Sequence, residues 1–271
     1  MRILRFIDEE NKICFGRWNS AGHVSRLSGN LFEGFTDMSR PAILKKLLAP
    51  LQPTAILCIG LNYHQHAKET GMALPRHPVL FMKNPAALTH PADPIILPVS
   101  CLDPLEVDYE AELAVIIGKP AKNVCAAKAH QYVAGYTAAN DVSARRWQKH
   151  AGAGQWVRGK SFDTFCPLGP ALITPDELGD PGNLKIQSII NGRVMQDANT
   201  SDMIFSVFEL IEFLSQGMTL LPGTVILTGT PSGVGFIQKP PLYLKPGDRV
   251  DVVIERIGTL SNPVVAEKEK I

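Results

Sequence analysis

The stretch Asp108-Tyr109-Glu110-Ala111-Glu112-Leu113-Ala114-Val115-Ile116-Ile117-Gly118 places three carboxylates at alternate positions and runs straight into apolar residues. Alternate side chains of a β-strand point to opposite faces. Asp108, Glu110 and Glu112 are therefore expected on one face, with Tyr109, Ala111 and Leu113 on the other. Val115 to Ile117 reads as strand buried on both sides. Acids that share a face and lead into a buried run repel one another and lose solvation. A bound divalent cation relieves both effects, and an all-oxygen donor set points to Mg²⁺, Mn²⁺ or Ca²⁺ rather than zinc. An edge strand with one wet acidic face has the same pattern, and this segment alone does not separate the two readings.

A further acid tips the balance. In Tyr132-Val-Ala-Gly-Tyr-Thr-Ala-Ala-Asn-Asp141 small, strand-favouring residues run unbroken, and Val142-Ser-Ala-Arg-Arg-Trp-Gln148 then reads as helical. Asp141 is expected at the junction, a place that suits an N-cap or a metal ligand equally. Set beside Glu110 and Glu112, the ligand role is preferred.

With 271 residues, 45% of them hydrophobic and 20% charged, the chain can bury a large core as an ordinary globular protein. A formal net charge of +1 and the lack of a long basic run argue against nucleic acid or an anionic membrane as the main partner. No apolar stretch approaches the length of a membrane span. The opening Met1-Arg-Ile-Leu-Arg-Phe-Ile-Asp8 reads as neither signal nor transit peptide. The five cysteines (Cys14, Cys58, Cys101, Cys125, Cys166) are scattered and never form C-x-x-C, which argues against a disulfide framework or thiolate zinc site. A reducing cytosol, and so a cytoplasmic protein, is the expectation. The histidines form no H-E-x-x-H, which excludes a zincin.

Residues 1–53 are expected to form a small N-terminal α/β module. Its alternating Arg2 to Ile7 and Lys12 to Gly16 suggest a hairpin, and Met38 to Leu48 carries a helical pattern that ends at Pro50 and Pro53. Residues 54–271 are rich in short strands punctuated by Gly and Pro, which predicts a mainly β, mixed α+β architecture. One clear helix is expected over Ser201 to Gly217, capped at Ser201 or Asp202, with Ile204, Val207, Phe208, Ile211 and Leu214 as its packed face. Val225 to Leu227 and Val250 to Ile254 read as strands. Ala266-Glu-Lys-Glu-Lys-Ile271 is expected to be a loose charged tail.

Several further stretches could carry chemistry. In Cys58-Ile-Gly-Leu-Asn-Tyr-His-Gln-His66-Ala-Lys-Glu69-Thr-Gly71, His66 and Glu69 lie three apart and share a helix face. A carboxylate against an imidazole fixes its tautomer and raises its basicity, as a water-activating base requires. A solvated surface helix with an incidental His and Glu is the commoner origin of such a pair. His64 falls off that face. Gly154-Gln-Trp-Val-Arg-Gly-Lys160-Ser161 matches the phosphate-loop pattern G-x-x-x-x-G-K-[ST], but no buried strand precedes it and the prolines after it do not make a helix. It is rejected as a nucleotide site. Lys160 remains notable as an isolated cation among aromatic residues that could meet an anionic substrate. Leu227 to Gly235 is a strand entering a Gly-rich turn whose amides and Thr230 hydroxyl could cradle a carboxylate, although a tight turn alone accounts for the glycines. Arg145 and Gln148 share a helix face that could read the far end of a substrate or form surface salt bridges.

In this order, Gly60 to His66, Asp108 to Glu112, Asn140 to Arg145, Gly159 to Pro170 and Thr228 to Gly235 resemble the fumarylacetoacetate hydrolase superfamily over roughly residues 54 to 265. The long Gly-Lys-Ser-Phe-Asp-Thr-Phe-Cys-Pro-Leu-Gly-Pro form is similar to the small single-domain branch that includes oxaloacetate tautomerases and acylpyruvate hydrolases. The resemblance implies a β-sandwich roll, a homodimer, and Mg²⁺ or Mn²⁺ held by Glu110, Glu112 and Asp141. It implies Lys160 facing the substrate with Arg145, Gln148 and Thr230 around it, and His66 with Glu69 as an acid/base dyad on a mobile lid. Arg146 departs from the pattern, since relatives often carry an acid there.

A 2-oxo acid bound to such a cation through carboxylate and keto oxygens would lose a C3 proton to give a stabilised enolate. Return of the proton elsewhere makes a keto–enol tautomerase, which the branch likeness favours for an oxaloacetate-like acid. Delivery of hydroxide to a second carbonyl makes a C–C hydrolase of acylpyruvates or fumarylacetoacetate-like diketo acids, and loss of a β-carboxylate makes an oxaloacetate decarboxylase. A non-catalytic metal- or nucleotide-binding module is the alternative from a different class.

Overall fold

The run that follows the alternating acids lies at the heart of the molecule. In the computed structural model, which describes residues 1–19, 21–150 and 154–268, Ala111–Ile117 is a strand with every residue buried. It pairs antiparallel with Val133–Asn140 on one side and with Thr224–Leu227 on the other. Thr224–Leu227 pairs in parallel with Ala55–Gly60, and that strand pairs antiparallel with Val79–Lys83 at the sheet edge. Beyond Val133–Asn140 the same sheet continues through Cys166–Ile173 to Arg2–Ile7 and the N-terminal strands. A second sheet, ordered Arg193–Asn199, Lys185–Ile190, Arg249–Ile254, Gly258–Ala266, Ile95–Leu97, covers one of its faces.

Strand alternation divides the core as the sequence requires. Leu113, Val115 and Ile117 pack towards Ile186, Val252, Ile254 and Leu260 of the second sheet. Ala114 and Ile116 turn the other way, against Ile56, Cys58, Ala139 and Leu172. Each such Leu, Ile or Val contributes about 1.5–3 kcal/mol by leaving water. Glu112 has the parity of Ala114 and Ile116, so the apolar stripes on both faces hold its carboxylate inside the molecule.

The first hairpin forms as expected, Arg2–Ile7 against Ile13–Trp18. Its turn is closed by the Asp8 carboxylate, which accepts the Glu10 and Lys12 amides at 3.0 and 2.9 Å. The helix expected over Met38 to Leu48 is not there: Gly34–Pro41 and Lys46–Leu48 are strands. Pro41 inside that span lacks an amide proton and forces extended backbone before it, and pairing with Val24–Asn30 and Arg2–Ile7 takes up the chain. The clear helix is shorter than expected, Val207–Ser215, and its cap is Ser206 rather than Ser201 or Asp202. Ser206 and Glu209 form a reciprocal capping box, which satisfies two helix-start amides together. Asp202 instead accepts the Gln65 amide at 3.0 Å and so steadies the His64–Thr70 helix. At the other terminus Ala266 still belongs to a strand and the Glu267 amide bonds to Leu97 O at 2.8 Å, so the tail begins later than Ala266. Residues 269–271 of that tail lie outside the described residues.

Candidate active site

Strand register assembles the acids. Ala111 lies opposite Asn140, so Glu110 and Glu112 flank the point where the partner strand ends and Asp141 begins. The Asp141 amide donates to Glu110 O at 2.9 Å and locks this corner. One carboxylate oxygen from each of Glu110, Glu112 and Asp141 lies within 4.8 Å of the others, and all three residues are buried. Asp141 is not the helix cap; that position belongs to Ala144, ahead of Arg145–Lys149. Asp108 leaves the expected face, because the ladder breaks at Tyr109 and Glu110. Its carboxylate accepts the amides of Tyr109, Gly235 and Phe236 at 2.8, 2.8 and 3.0 Å and the Arg145 Nε at 2.9 Å.

Two buried lysines face the triad. Lys160 Nζ donates to Glu110 at 2.8 Å, Asp141 at 2.6 Å and Ser143 Oγ at 2.7 Å. Lys83 Nζ lies 2.5 Å from the other Asp141 oxygen and 3.1 Å from Val142 O. Arg145 Nη1 adds a contact to Glu110 at 2.7 Å. Burial alone would raise the Glu110 pKa, but Lys160 and Arg145 outweigh it and hold the carboxyl below its usual range. Burial would lower Lys160, yet Asp141 and Glu110 carry it above the ordinary lysine value. Among the described residues no cation bonds Glu112. It accepts the Gly229 amide at 2.7 Å, and burial together with Asp141 and Glu110 pushes its pKa well above normal, outweighing the nearby Lys160 charge. Three clustered oxygen donors, one of them short of positive charge, suit a hard divalent cation.

Sequence distance concealed Lys83, 58 residues before Asp141. Its signal was a lysine closing the apolar run Val79-Leu-Phe-Met-Lys83, on the buried face shared with Phe81. Gly159 explains the false phosphate-loop match. Trp156–Lys160 is helical, and a Cβ at Gly159 would meet Gln148 N at 2.7 Å and Ala144 O at 3.0 Å. The glycine thus lets two short helices touch and delivers Lys160 to the acids. Residues 151–153, just before the match, lie outside the described residues.

A cavity of about 250 Å³ opens over this cluster. Glu110, Glu112 and Lys160 line it, as do His66, Arg145 and Gln148. Thr230 also lines it, but its hydroxyl already donates to Ala111 O at 3.0 Å and accepts from Gln196 at 2.7 Å. Asp141 and Glu69 stand behind the wall. His66 Nδ1 is 3.2 Å from Glu69 Oε2, and both Glu69 oxygens accept the Gly233 amide at 3.0 and 3.2 Å. With Nδ1 donating to that anchored carboxylate, Nε2 is left as the ring atom able to take a proton. His64 is exposed and bonds the Asp202 carbonyl at 3.0 Å, away from this pair. Arg146, the departure from the family pattern, pairs with Glu106 at 3.2 Å.

Residues 55–265 match the fumarylacetoacetate (FAA) hydrolase C-terminal family. The chain belongs to that family. It is 51% identical over 219 residues to a Bos taurus oxaloacetate tautomerase FAHD2A, mitochondrial, covering 80% of this chain and 69% of that protein. Among solved structures, a 5-carboxymethyl-2-hydroxymuconate delta-isomerase from Mycobacterium smegmatis superposes with a TM-score of 0.86 at 38% identity, over 98% of this chain and all of the other. A 2-hydroxyhepta-2,4-diene-1,7-dioate isomerase from Mycobacterium marinum gives 0.85 at 38% identity, over 99% of this chain and 100% of that one. The mainly β fumarylacetoacetate hydrolase fold and the status of the chain as an enzyme of this family follow, and tautomerase or isomerase activity has their support. The expected cytoplasmic location is corrected by these comparisons, because the tautomerase relative is mitochondrial. Scattered cysteines do not distinguish one compartment from another.

Proposed function

We propose that this fumarylacetoacetate hydrolase family member is a Mg²⁺- or Mn²⁺-dependent keto–enol tautomerase of oxaloacetate or a similar 2-oxo acid. The observation that carries the reading is the buried triad with Glu112 left without a cation, opening into the cavity that His66 lines. The names of the relatives favour tautomerisation over the other outcomes. Glu110, Glu112 and Asp141 would hold the ion, which supplies Lewis-acid stabilisation of an enolate.

The chain's own groups account for binding and proton movement. Lys160, fixed by Glu110, Asp141 and Ser143, sets a positive charge beside the carboxylate and C2 oxygen of a 2-oxo acid. Gln148 turns its carbonyl to Arg145 at 2.9 Å, leaving its amide hydrogens for the substrate. His66 Nε2 takes the C3 proton, Glu69 holds the imidazolium so formed, and a proton returned to the C2 oxygen completes the enol. The reverse order converts enol to ketone.

Hydrolysis of an acylpyruvate is the second reading, favoured by the Glu69 carboxylate being anchored at Gly233, as a water-activating histidine requires. Loss of the β-carboxylate from oxaloacetate would draw on the same enolate. A nucleotide-binding module is not favoured, because the phosphate-loop match is helical. A homodimer belongs to the same reading: the edge strand Val79–Lys83 leaves Val79, Leu80 and Met82 exposed, and light scattering in solution measures the assembly. No helix among the described residues is long and apolar enough to cross a membrane.

The decisive assay follows the ultraviolet absorbance of oxaloacetate enol. Its decay should accelerate with enzyme and Mg²⁺, stop with chelator, and slow by about 10²–10⁴-fold in His66→Ala. Enol decay at the spontaneous rate, beside cleavage of acetylpyruvate, would replace this reading with the hydrolase.

A further inference from the structure

The helix Arg145–Lys149 turns three polar residues to the cavity, Arg145, Gln148 and Lys149. Their spacing places them on one helix face. Their commitments differ. Arg145 is bound to Asp108 at 2.9 Å and Glu110 at 2.7 Å, and the Gln148 carbonyl is bound to Arg145. Lys149 has no such tie. Among the described residues no carboxylate stands within ion-pair distance of its ammonium, which lies 3.4 Å from the centre of the Phe236 ring.

The Arg145 guanidinium carbon approaches the same ring at 4.5 Å. Phe236 is itself held fast, its amide bonded to Asp108 at 3.0 Å and that of Gly235 at 2.8 Å. Lys149 is thus seated on a fixed aromatic platform rather than left to sweep through solvent. Lys149 is exposed as a residue, and partial burial of its ammonium, then the charge of Arg145, draw its pKa below the ordinary lysine value against the opposing pull of the more distant Asp108 and Glu110. That is the condition of an ammonium set near another cation with no anion close enough to pair with it. It lines the same cavity of about 250 Å³ as Glu110, Glu112 and Lys160, a space small enough for a short-chain acid to span.

We infer that Lys149 is the specificity-determining residue that receives the distal carboxylate of a dicarboxylic 2-oxo acid, with Phe236 positioning its ammonium. This rests on the reading of the cavity as a 2-oxo acid site. It adds that the site selects dianionic substrates over monoanionic ones of equal length, and names the residue that does so. The proximal carboxylate and keto oxygen belong to the triad end; the second carboxylate completes the pair that Lys149 lacks among the described residues.

The test compares two stable ligands of matched length, 2-oxoglutarate and 2-oxopentanoate, by calorimetry on the Mg²⁺-loaded protein. The parent should prefer 2-oxoglutarate, and Lys149→Met should reduce that preference by about tenfold, the loss of one charge-assisted bond. Lys149→Arg should restore most of it. Equal binding of the two acids by the parent, or a preference unchanged in Lys149→Met, overturns the inference. Melting temperatures of the variants verify folding. Turnover separates this inference from the functional reading. If oxaloacetate enol is not converted but the Lys149-dependent preference persists, the tautomerase reading falls and the inference stands. If conversion proceeds with KM for oxaloacetate unmoved in Lys149→Met, the inference alone falls. Its success shows instead as a raised KM with little change in kcat.

Discussion

Asp8, in the turn of the first hairpin, and Glu112, in the central strand, are both shut away from solvent, at 4% and 1% exposure. Around Asp8 the chain supplies everything a carboxylate asks for. The amides of Glu10 and Lys12, the Arg26 guanidinium at 2.7 Å and the Cys14 thiol at 3.3 Å all donate to it. Its pKa falls to about 2, through the Lys12 amide first and Arg26 next. Around Glu112 the described residues supply one amide, two further acids and the Lys160 charge at longer range, and the pKa moves the opposite way. A fold that can satisfy a buried acid locally does so, and an acid left unsatisfied marks a place where something outside the chain belongs.

The contrast can be broken most forcefully at Glu112. Glu112→Gln should reduce Mg²⁺ affinity, by calorimetry, and enol turnover by on the order of 10²-fold or more. In metal-free buffer its melting temperature should hold or rise, because an amide does not ionise and so removes the cost of keeping a buried carboxyl protonated while the unfolded chain releases its proton. A clear fall in melting temperature would mean that Glu112 is as well provided for as Asp8.

Lys83→Met comes next. It takes from Asp141 a cation at 2.5 Å in a fully buried pair, and breaking such a pair costs about 3–5 kcal/mol. Denaturant unfolding should show that loss, and Mg²⁺ affinity should weaken by about 10–100-fold as Asp141 loses its support. Full affinity at reduced stability would make Lys83 a structural partner only.

The pH dependence sharpens the contrast because its two limbs have opposite signs. Between 3.8 and the folded value of about 2, the unfolded chain holds a proton that native Asp8 has released, so stability is lost as pH falls through that window. Above the ordinary glutamate value of 4.5, native Glu112 keeps a proton that the unfolded chain releases, so metal-free stability falls as pH rises towards its elevated pKa. Melting curves across this range should show both limbs. Mg²⁺ should flatten the upper one, with proton release on binding. An upper limb that survives in Glu112→Gln would assign it to another group.

The smallest effect is expected from Asp8→Asn. It should lower the melting temperature by less than Lys83→Met, remove part of the acid limb and leave Mg²⁺ affinity unchanged. Altered affinity would mean that the hairpin and the acid cluster are coupled.

The central strand with Glu110 and Glu112 was legible because alternation is a local property, written in neighbouring residues. Asp108 was misplaced because the backbone leaves the ladder at Tyr109, drawn to amides 127 and 128 positions away. Lys83 escaped for the same reason, its partner being visible only once Val79–Lys83 reaches its place at the sheet edge. The missed strands near Pro41 and the misplaced helix start at Ser206 are different. Both signals stand in the sequence, a proline within a helical pattern and Ser-x-x-Glu before an apolar run, and in the fold they override the looser periodicities around them.

Gly159 has a consequence for anyone reshaping this pocket. Because bare backbone there sits against Gln148 and Ala144, any bulk added at this position is transmitted through a rigid turn to the neighbouring ammonium. One methyl group far from the substrate would therefore act as a wedge, prising the Lys160 charge away from the acids while every side chain known to touch the cavity kept its identity.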